Sequence, residues 1–255
     1  FIKINMIFIP QNRRDLMKLA IMQPYFFPYL GYLSLIKNTD KFILFDTVQF
    51  IRHGWIERNR VLKQGDGWQY ILIPLEKHEQ TTLIKDIRIK NTENWQNKIL
   101  AQLTHYKKKA PFYNETINVV QNSLDINTNS ITILNQHILS VLCNYIGIDF
   151  NSEIFSEMNL NIEPVSAPDE WALNICKSIG NVSEYWNPEG GIEFFDTSKY
   201  QKAKIDIKFL KHNLPFYSQR RGRENFENGL SIIDVMMFNS PIEIKSLLDD
   251  YIILK

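Results

Sequence analysis

Cysteine is scarce in this chain: Cys143 and Cys176 are the whole complement in 255 residues, and both sit in apolar, helix-patterned surroundings. Two distant cysteines make neither a disulfide framework nor a zinc site, so a reducing cytoplasm is the expected setting. Histidine does not change this, because His78, His105, His137 and His212 lack metal-ligand spacing and no zinc site is expected. A charge surplus is missing too, with 29 basic against 28 acidic side chains. A general grip on nucleic acid needs basic excess, and no nucleic-acid partner is expected. There is no Walker loop and no Gly-x-Ser-x-Gly. The Asp-x-Asp pair of a metal-dependent glycosyltransferase is absent as well, since Asp249-Asp250 lacks the spacing. Finally, no uninterrupted hydrophobic run is long enough to span a bilayer. Residues 19–36 approach that length, but Gln23, Pro24, Pro28 and Gly31 break the run and no small-residue cleavage site follows. No membrane insertion is expected.

What is present is a core-forming composition, 44% hydrophobic and 13% aromatic. Such a chain builds one large domain or two small ones. Residues 1–16 carry no period, and Met17 looks like the natural start, so residues 1–16 are expected to be a non-native or disordered leader. Residues 17–255 are expected to form one α/β domain with a helical insert over about 94–150.

Residues 19–22 and 41–45 are short continuous apolar runs, the pattern of strands buried on both faces. Residues 30–38 between them are helical, which makes a βαβ unit with a parallel pair. Residues 68–74, 84–89, 204–210 and 215–218 read as further strands. Helices are expected over 94–107, 113–124, 131–146 with Gly147 as the stop, 168–179, and 230–238. A last helix opens at Ser240-Pro241-Ile242-Glu243, a capping-box pattern with proline at its first position.

The loop after the first strand is the richest stretch. Gln23-Pro24-Tyr25-Phe26-Phe27-Pro28-Tyr29-Leu30-Gly31-Tyr32 holds two prolines, a glycine, an amide and several rings where α/β proteins place ligands. Gln23 has a free direction at the strand end, to bond a ligand or to close a turn. Tyr25, Phe26 and Phe27 are read as half core, half site. Gly31 either admits a phosphate or sugar to the helix N-terminus or relieves packing against the neighbouring strand. The second strand ends at Asp46, beside that loop, followed by Gln49. Asp46 is the best acid or base candidate, an Asx turn being the alternative.

His53 and Trp55 lie in the cationic segment that follows. Arg58 and Arg60, two apart with Asn59 between, would share one face of an extended segment as a fork for carboxylate or phosphate, or form a solvated pair. Asn187-Pro188-Glu189-Gly190-Gly191 either presents backbone N–H groups to an anion or is a plain turn. Arg220, Arg221 and Arg223 form a closing loop over a phosphorylated substrate or a solvated run. Ser231 and Asp234 share a helix face, for a buried anchoring contact or for ligand.

Taken in order, Gln23–Tyr32, Asp46-Thr-Val-Gln49-Phe50, Trp55–Arg60, Tyr185–Gly191 and Leu230–Asn239 resemble the WbqC-like family over nearly all of the chain from Met17. The family usually has Asn where this chain has Glu57, which puts more weight on Arg58 and Asn59. The resemblance implies an accessory enzyme of bacterial surface-polysaccharide and O-antigen synthesis. Its expected reaction is acyl or aminoacyl transfer, glycyl foremost, to the amine of a nucleotide-linked amino sugar. Asp46, Arg58 and Asn59 are its expected catalytic residues. A non-catalytic sugar-nucleotide-binding or scaffold protein of the same pathway is the alternative. The opening βαβ layout also resembles the nucleotidylyltransferase superfamily, which implies a parallel sheet with a Rossmann-like start. Tyr29 and Tyr32 stand where that superfamily has two histidines around the glycine, and a tyrosine cannot serve as a cationic phosphate clamp. Gln49-Phe50 is placed like the Gln-Phe pair of pantothenate synthetases. If the acyl group is activated in situ, as in those enzymes, ATP and Mg2+ are required. Otherwise the partners are the sugar nucleotide and a small acyl or amino-acid donor.

Overall fold

The computed structural model describes residues 16–220 and 225–254. The expected leader, apart from an exposed Leu16, lies outside them, as do Arg221 and Arg223. The first βαβ unit forms as the sequence dictates. Strand β1 (Met17–Met22) leads through the proline loop into α1 (Leu30–Asn38) and then β2 (Lys41–Leu44), which pairs parallel to β1. Between β2 and the next sheet strand lie an antiparallel hairpin, β3 (Arg58–Leu62) and β4 (Trp68–Leu72), and three helices. These are α2 (Trp95–Leu103), α3 (Tyr113–Leu124) and α4 (Ile131–Ile146), the last closed by Gly147 in the left-handed region. The chain returns to the sheet as β5 (Ser152–Ile154). It continues through α5 (Glu170–Ile179), β6 (Val182–Pro188), α6 (Thr197–Lys202) and β7 (Asp206–His212). Helices α7 (Ile232–Phe238) and α8 (Pro241–Leu247) precede β8 (Tyr251–Leu254).

The six sheet strands lie in the order β5-β2-β1-β6-β7-β8, parallel except for β8, which runs antiparallel to β7. Counted along the chain this is the order 3-2-1-4-5-6 of a doubly wound, Rossmann-like α/β sheet. Its topological switch point falls between β1 and β6. Both faces are covered, which is why the strands read as continuous apolar runs. Ala20, Phe42, Leu44, Trp186 and Leu210 face the larger core with α1, α4 and α7. Leu19, Ile21, Ile43, Tyr185 and Phe209 alternate to the other face, against Leu173 and Cys176 of α5 and Tyr200 of α6.

Three expectations are corrected. Residues 84–89 form no strand; Ile84–Asp86 is a single 3-10 turn, with Arg88 and Ile89 making isolated bridges. Ile84, Ile87 and Ile89 are buried at mixed spacing, so the segment wraps over the core instead of pleating. Residues 215–218 are not a strand either. Leu214 turns left-handed (φ 49°), and β8 from the chain end takes the free edge of β7. The helix expected over 94–107 becomes 3-10 from Thr104 to Lys108.

Candidate functional site

The loop after β1 is held by its own carbonyls. Tyr32 donates its hydroxyl to the Gln23 carbonyl (2.9 Å), and Asn135 Nδ2 donates to that of Pro24 (2.8 Å). Asn59 Nδ2 donates to Phe26 (3.0 Å) and Phe27 (2.9 Å), and Ser231 Oγ reaches Phe27 as well (2.7 Å). The Ile232 amide donates to the Pro28 carbonyl (2.8 Å), and the Phe26 amide to that of Trp55 (2.8 Å). Buried backbone groups need partners, and here buried side chains from α4, β3 and the start of α7 supply them. This clamping fixes Phe27 at φ 40°, a conformation that a bulky residue keeps only when its surroundings over-determine it.

The clamped loop forms one wall of a cleft of about 370 Å³ at the carboxyl ends of β1 and β6, the switch point of the sheet. Its lining comprises Met22, Tyr25, Tyr29, Trp55, Asn59, Arg60, Pro188, Leu214 and Gly229. Among the described residues Arg60 is its one cationic residue. The guanidinium lies 5.5 Å from the Trp55 ring and 5.1 Å from that of Trp68, and donates from Nη2 to the Gly229 carbonyl (3.2 Å). Burial raises the pKa of both Tyr25 and Tyr29, Tyr29 to about 12 with help from nearby Tyr25 and Glu189. Both phenols are therefore proton-bearing donors near neutral pH. A larger groove of about 570 Å³ opens at the other end of β2, around Thr39, Asp40 and Asp149. Its cations are engaged, Lys37 by Asp249 and Lys245 by the Gly147 carbonyl, and it lies at the amino ends of the strands.

The sequence-expected residues thus separate. Tyr25, Trp55, Asn59 and Arg60 meet in the cleft. Gln23, Phe27 and Tyr32 build its wall: Tyr32 and Phe27 are fully buried, and Tyr32 stacks on Tyr25 with centroids 5.3 Å apart. Gly31 is also buried, and its missing Cβ makes room for the Tyr29 ring. Asn187 donates to the Tyr185 hydroxyl (2.7 Å) and rests against Gly191, while Gly190 is exposed with open space where a Cβ would project.

Asp46 is placed elsewhere. It is 1% exposed, and its carboxylate accepts from the Ser156 amide (3.0 Å) and hydroxyl (2.7 Å), so it faces β5 and not the cleft. Gln49 is exposed and bonds the Gln80 carbonyl. Arg58 does not complete a fork with Arg60: its guanidinium stacks 3.9 Å from the Tyr70 ring and donates to the His53 carbonyl. His53 is exposed at φ 61°, and its amide donates to Glu57. Arg220 is exposed at φ 53°. Asp234 is the buried anchor, accepting from the hydroxyls of Tyr106 (2.5 Å) and Tyr217 (2.6 Å) and from Gln219 Nε2 (3.0 Å).

Sequence reasoning missed Asn135, Leu214 and Gly229. Asn135 looks like any polar residue of an amphipathic helix, although its position among Ile131, Leu134 and Ile138 on the buried face was a usable signal. Among the described residues no helix is long and apolar enough to cross a membrane.

Residues 23–246 match the WbqC-like protein family. The chain is also similar to the uncharacterized protein Rv1507c of Mycobacterium tuberculosis, at 25% identity over 228 residues, or 89% of this chain and 95% of that protein. No solved structure matches the chain. The family match takes in every residue of the cleft lining except Met22 and all three side-chain clamps, Asn59, Asn135 and Ser231, and on that ground the chain belongs to the WbqC-like protein family.

Proposed function

We propose that the cleft between β1 and β6 binds a nucleotide-linked amino sugar and that the protein transfers an acyl or aminoacyl group, glycyl foremost, to the sugar amine. Membership of the WbqC-like family suggests a role in polysaccharide biosynthesis. The observation that carries the finer reading is a cleft lined by three aromatic rings and, among the described residues, a single guanidinium, at the switch point of a doubly wound sheet. Aromatic faces suit sugars and bases, and the arginine suits a phosphate or carboxylate.

In this reading Tyr25 and Tyr29 orient the sugar, Asn59 holds the loop that carries them, and Arg60 holds the anionic part of a reactant. An acid–base role for Asp46 would require its bonds to Ser156 to break. Among the described residues the lining holds no carboxylate to carry a metal and no second cation for a triphosphate, and the Tyr29 ring covers Gly31 at the start of α1. A donor already activated before it binds is therefore the simpler partner, with ATP and Mg2+ the requirement if activation occurs in situ.

The test is a mass-resolved assay with a pool of nucleotide-linked amino sugars, supplied with an activated acyl donor or with glycine, each with and without ATP and Mg2+. An acyl mass gain on the sugar is the expected result. A second reading, a non-catalytic sugar-nucleotide-binding protein, is favoured by the lack of a nucleophile–base pair among the described residues of the lining. An unchanged pool together with thermal stabilisation by one sugar nucleotide would establish that reading instead.

A further inference from the structure

Among the described residues nothing balances the charge on Arg60. The side chain is half-buried, and among the described residues no carboxylate forms an ion pair with it. Among the described residues the one hydrogen bond of its side chain runs to a neutral acceptor, the Gly229 carbonyl, and its Nε is buried without a partner. Arg58 on the same strand face has a different arrangement, resting on Tyr70 away from the lining. A guanidinium partly withdrawn from water and left without a counter-ion is costly, and an oxyanion that approaches from the cleft offsets that cost. The two indoles at 5.5 Å and 5.1 Å hold the guanidinium in place, so little orientation is lost on binding.

We propose that Arg60 is the oxyanion anchor of the cleft, receiving one phosphoryl or carboxylate group of the ligand while Trp55 and Trp68 hold the guanidinium and sense its occupancy. This rests on the cleft being the substrate site and assigns the anionic end of a reactant to one residue. Two sources fit the same chemistry: the diphosphate of a sugar nucleotide, or the carboxylate of an amino-acid donor. Gly229 is part of the device. It adopts φ 61°, which L side chains rarely take, and so places its carbonyl on Arg60 Nη2.

The experiment follows tryptophan emission and thermal stability of the whole chain during separate titrations with pyrophosphate and with glycine at constant ionic strength. Arg60→Gln and Arg60→Lys are run beside the wild type. The expected result is a saturable change in emission with one probe, weakened about tenfold or more in Arg60→Gln. Arg60→Lys should fall between, because an ammonium keeps the charge and loses the planar fork. A response to pyrophosphate places a phosphate at Arg60, and a response to glycine places the donor's carboxylate there; either supports the anchor. No response from the wild type to either probe would overturn it, as would unchanged affinity in Arg60→Gln. If Arg60→Gln fails to fold, the wild-type titration and Arg60→Lys still decide. An anchor confirmed here alongside an unchanged pool in the mass assay would fault the acyl-transfer reading alone.

Discussion

Tyr29 lies across Gly31, so close that a Cβ on Gly31 would sit 2.5 Å from Tyr29 Cε2 and 2.9 Å from its hydroxyl oxygen. The glycine at the start of α1 thus seats the ring that forms one side of the cleft. The sequence left open whether that glycine admits a ligand or relieves packing against the neighbouring strand; the packing partner is Tyr29.

Gly31→Ala therefore has two opposed effects. Alanine ordinarily gains up to about 1 kcal/mol over glycine in a helix, but here it must push Tyr29 aside. We expect no rise in Tm for Gly31→Ala alone, with weakened ligand binding, and a rise of a few degrees when it is added to Tyr29→Ala. Equal increases in both backgrounds would show that the ring contact carries no strain.

Asp46 and Ser156 offer a separation of structure from chemistry. Their paired bonds tie the end of β2 to the segment after β5. Asp46→Asn and Ser156→Ala should each destabilise by about 1–3 kcal/mol, the cost of a buried polar group losing its partner. Neither should abolish product formation under conditions where the variant is folded. Loss of turnover in Asp46→Asn alone, with Ser156→Ala active, would assign the carboxylate a chemical role.

His212 makes the cleft's stability depend on pH. Its Nε2 meets the Leu247 carbonyl (3.0 Å), and its Nδ1 accepts from the Leu214 amide (3.0 Å), which fixes a neutral ring. Burial lowers its pKa below the usual 6.5, against the opposing pull of the Leu247 carbonyl and Asp250. A lowered folded-state pKa means that the unfolded chain takes up the proton first. The stability this neutral ring contributes is present above 6.5 and is lost as pH falls through the folded value. Tm should drop between pH 7 and pH 5, and His212→Gln should shallow that slope. An unchanged slope would remove His212 from the account.

Glu57 works in the opposite direction. It is 8% exposed, one carboxylate oxygen accepts the His53 amide, and the other is buried without a partner. Burial raises its pKa above 4.5, more than its hydrogen bonds and Arg58 lower it. A raised folded-state pKa favours the protonated form, so this group's contribution is present below 4.5 and is lost as pH rises through the folded value. Glu57→Gln should raise Tm at pH 7 and have less effect near pH 4. A lower Tm at pH 7 would show that the charge is needed.

Some of this was plain in the sequence. The α1 range, the 131–146 helix with its Gly147 stop and the Ser240–Glu243 capping box all formed as read, because each is specified by neighbours within a turn or two. Strands β5 and β8 were not legible, being three and four residues long and too short to show a period. They exist because β2 and β7 present open edges to them. The tie from Ser231 to Phe27 spans 204 residues and has no local signature.

By itself the sequence determined a parallel βαβ start, a proline-broken loop after its first strand and a balanced charge. These follow from local periodicity and composition, which act without reference to distant residues. Only the tertiary structure decided which polar side chains face the cleft. It placed Asp46 on Ser156, Arg58 on Tyr70, and Arg60 between two indoles. The direction of a side chain at a strand end is set by what packs around it, and those partners come from elements far along the chain.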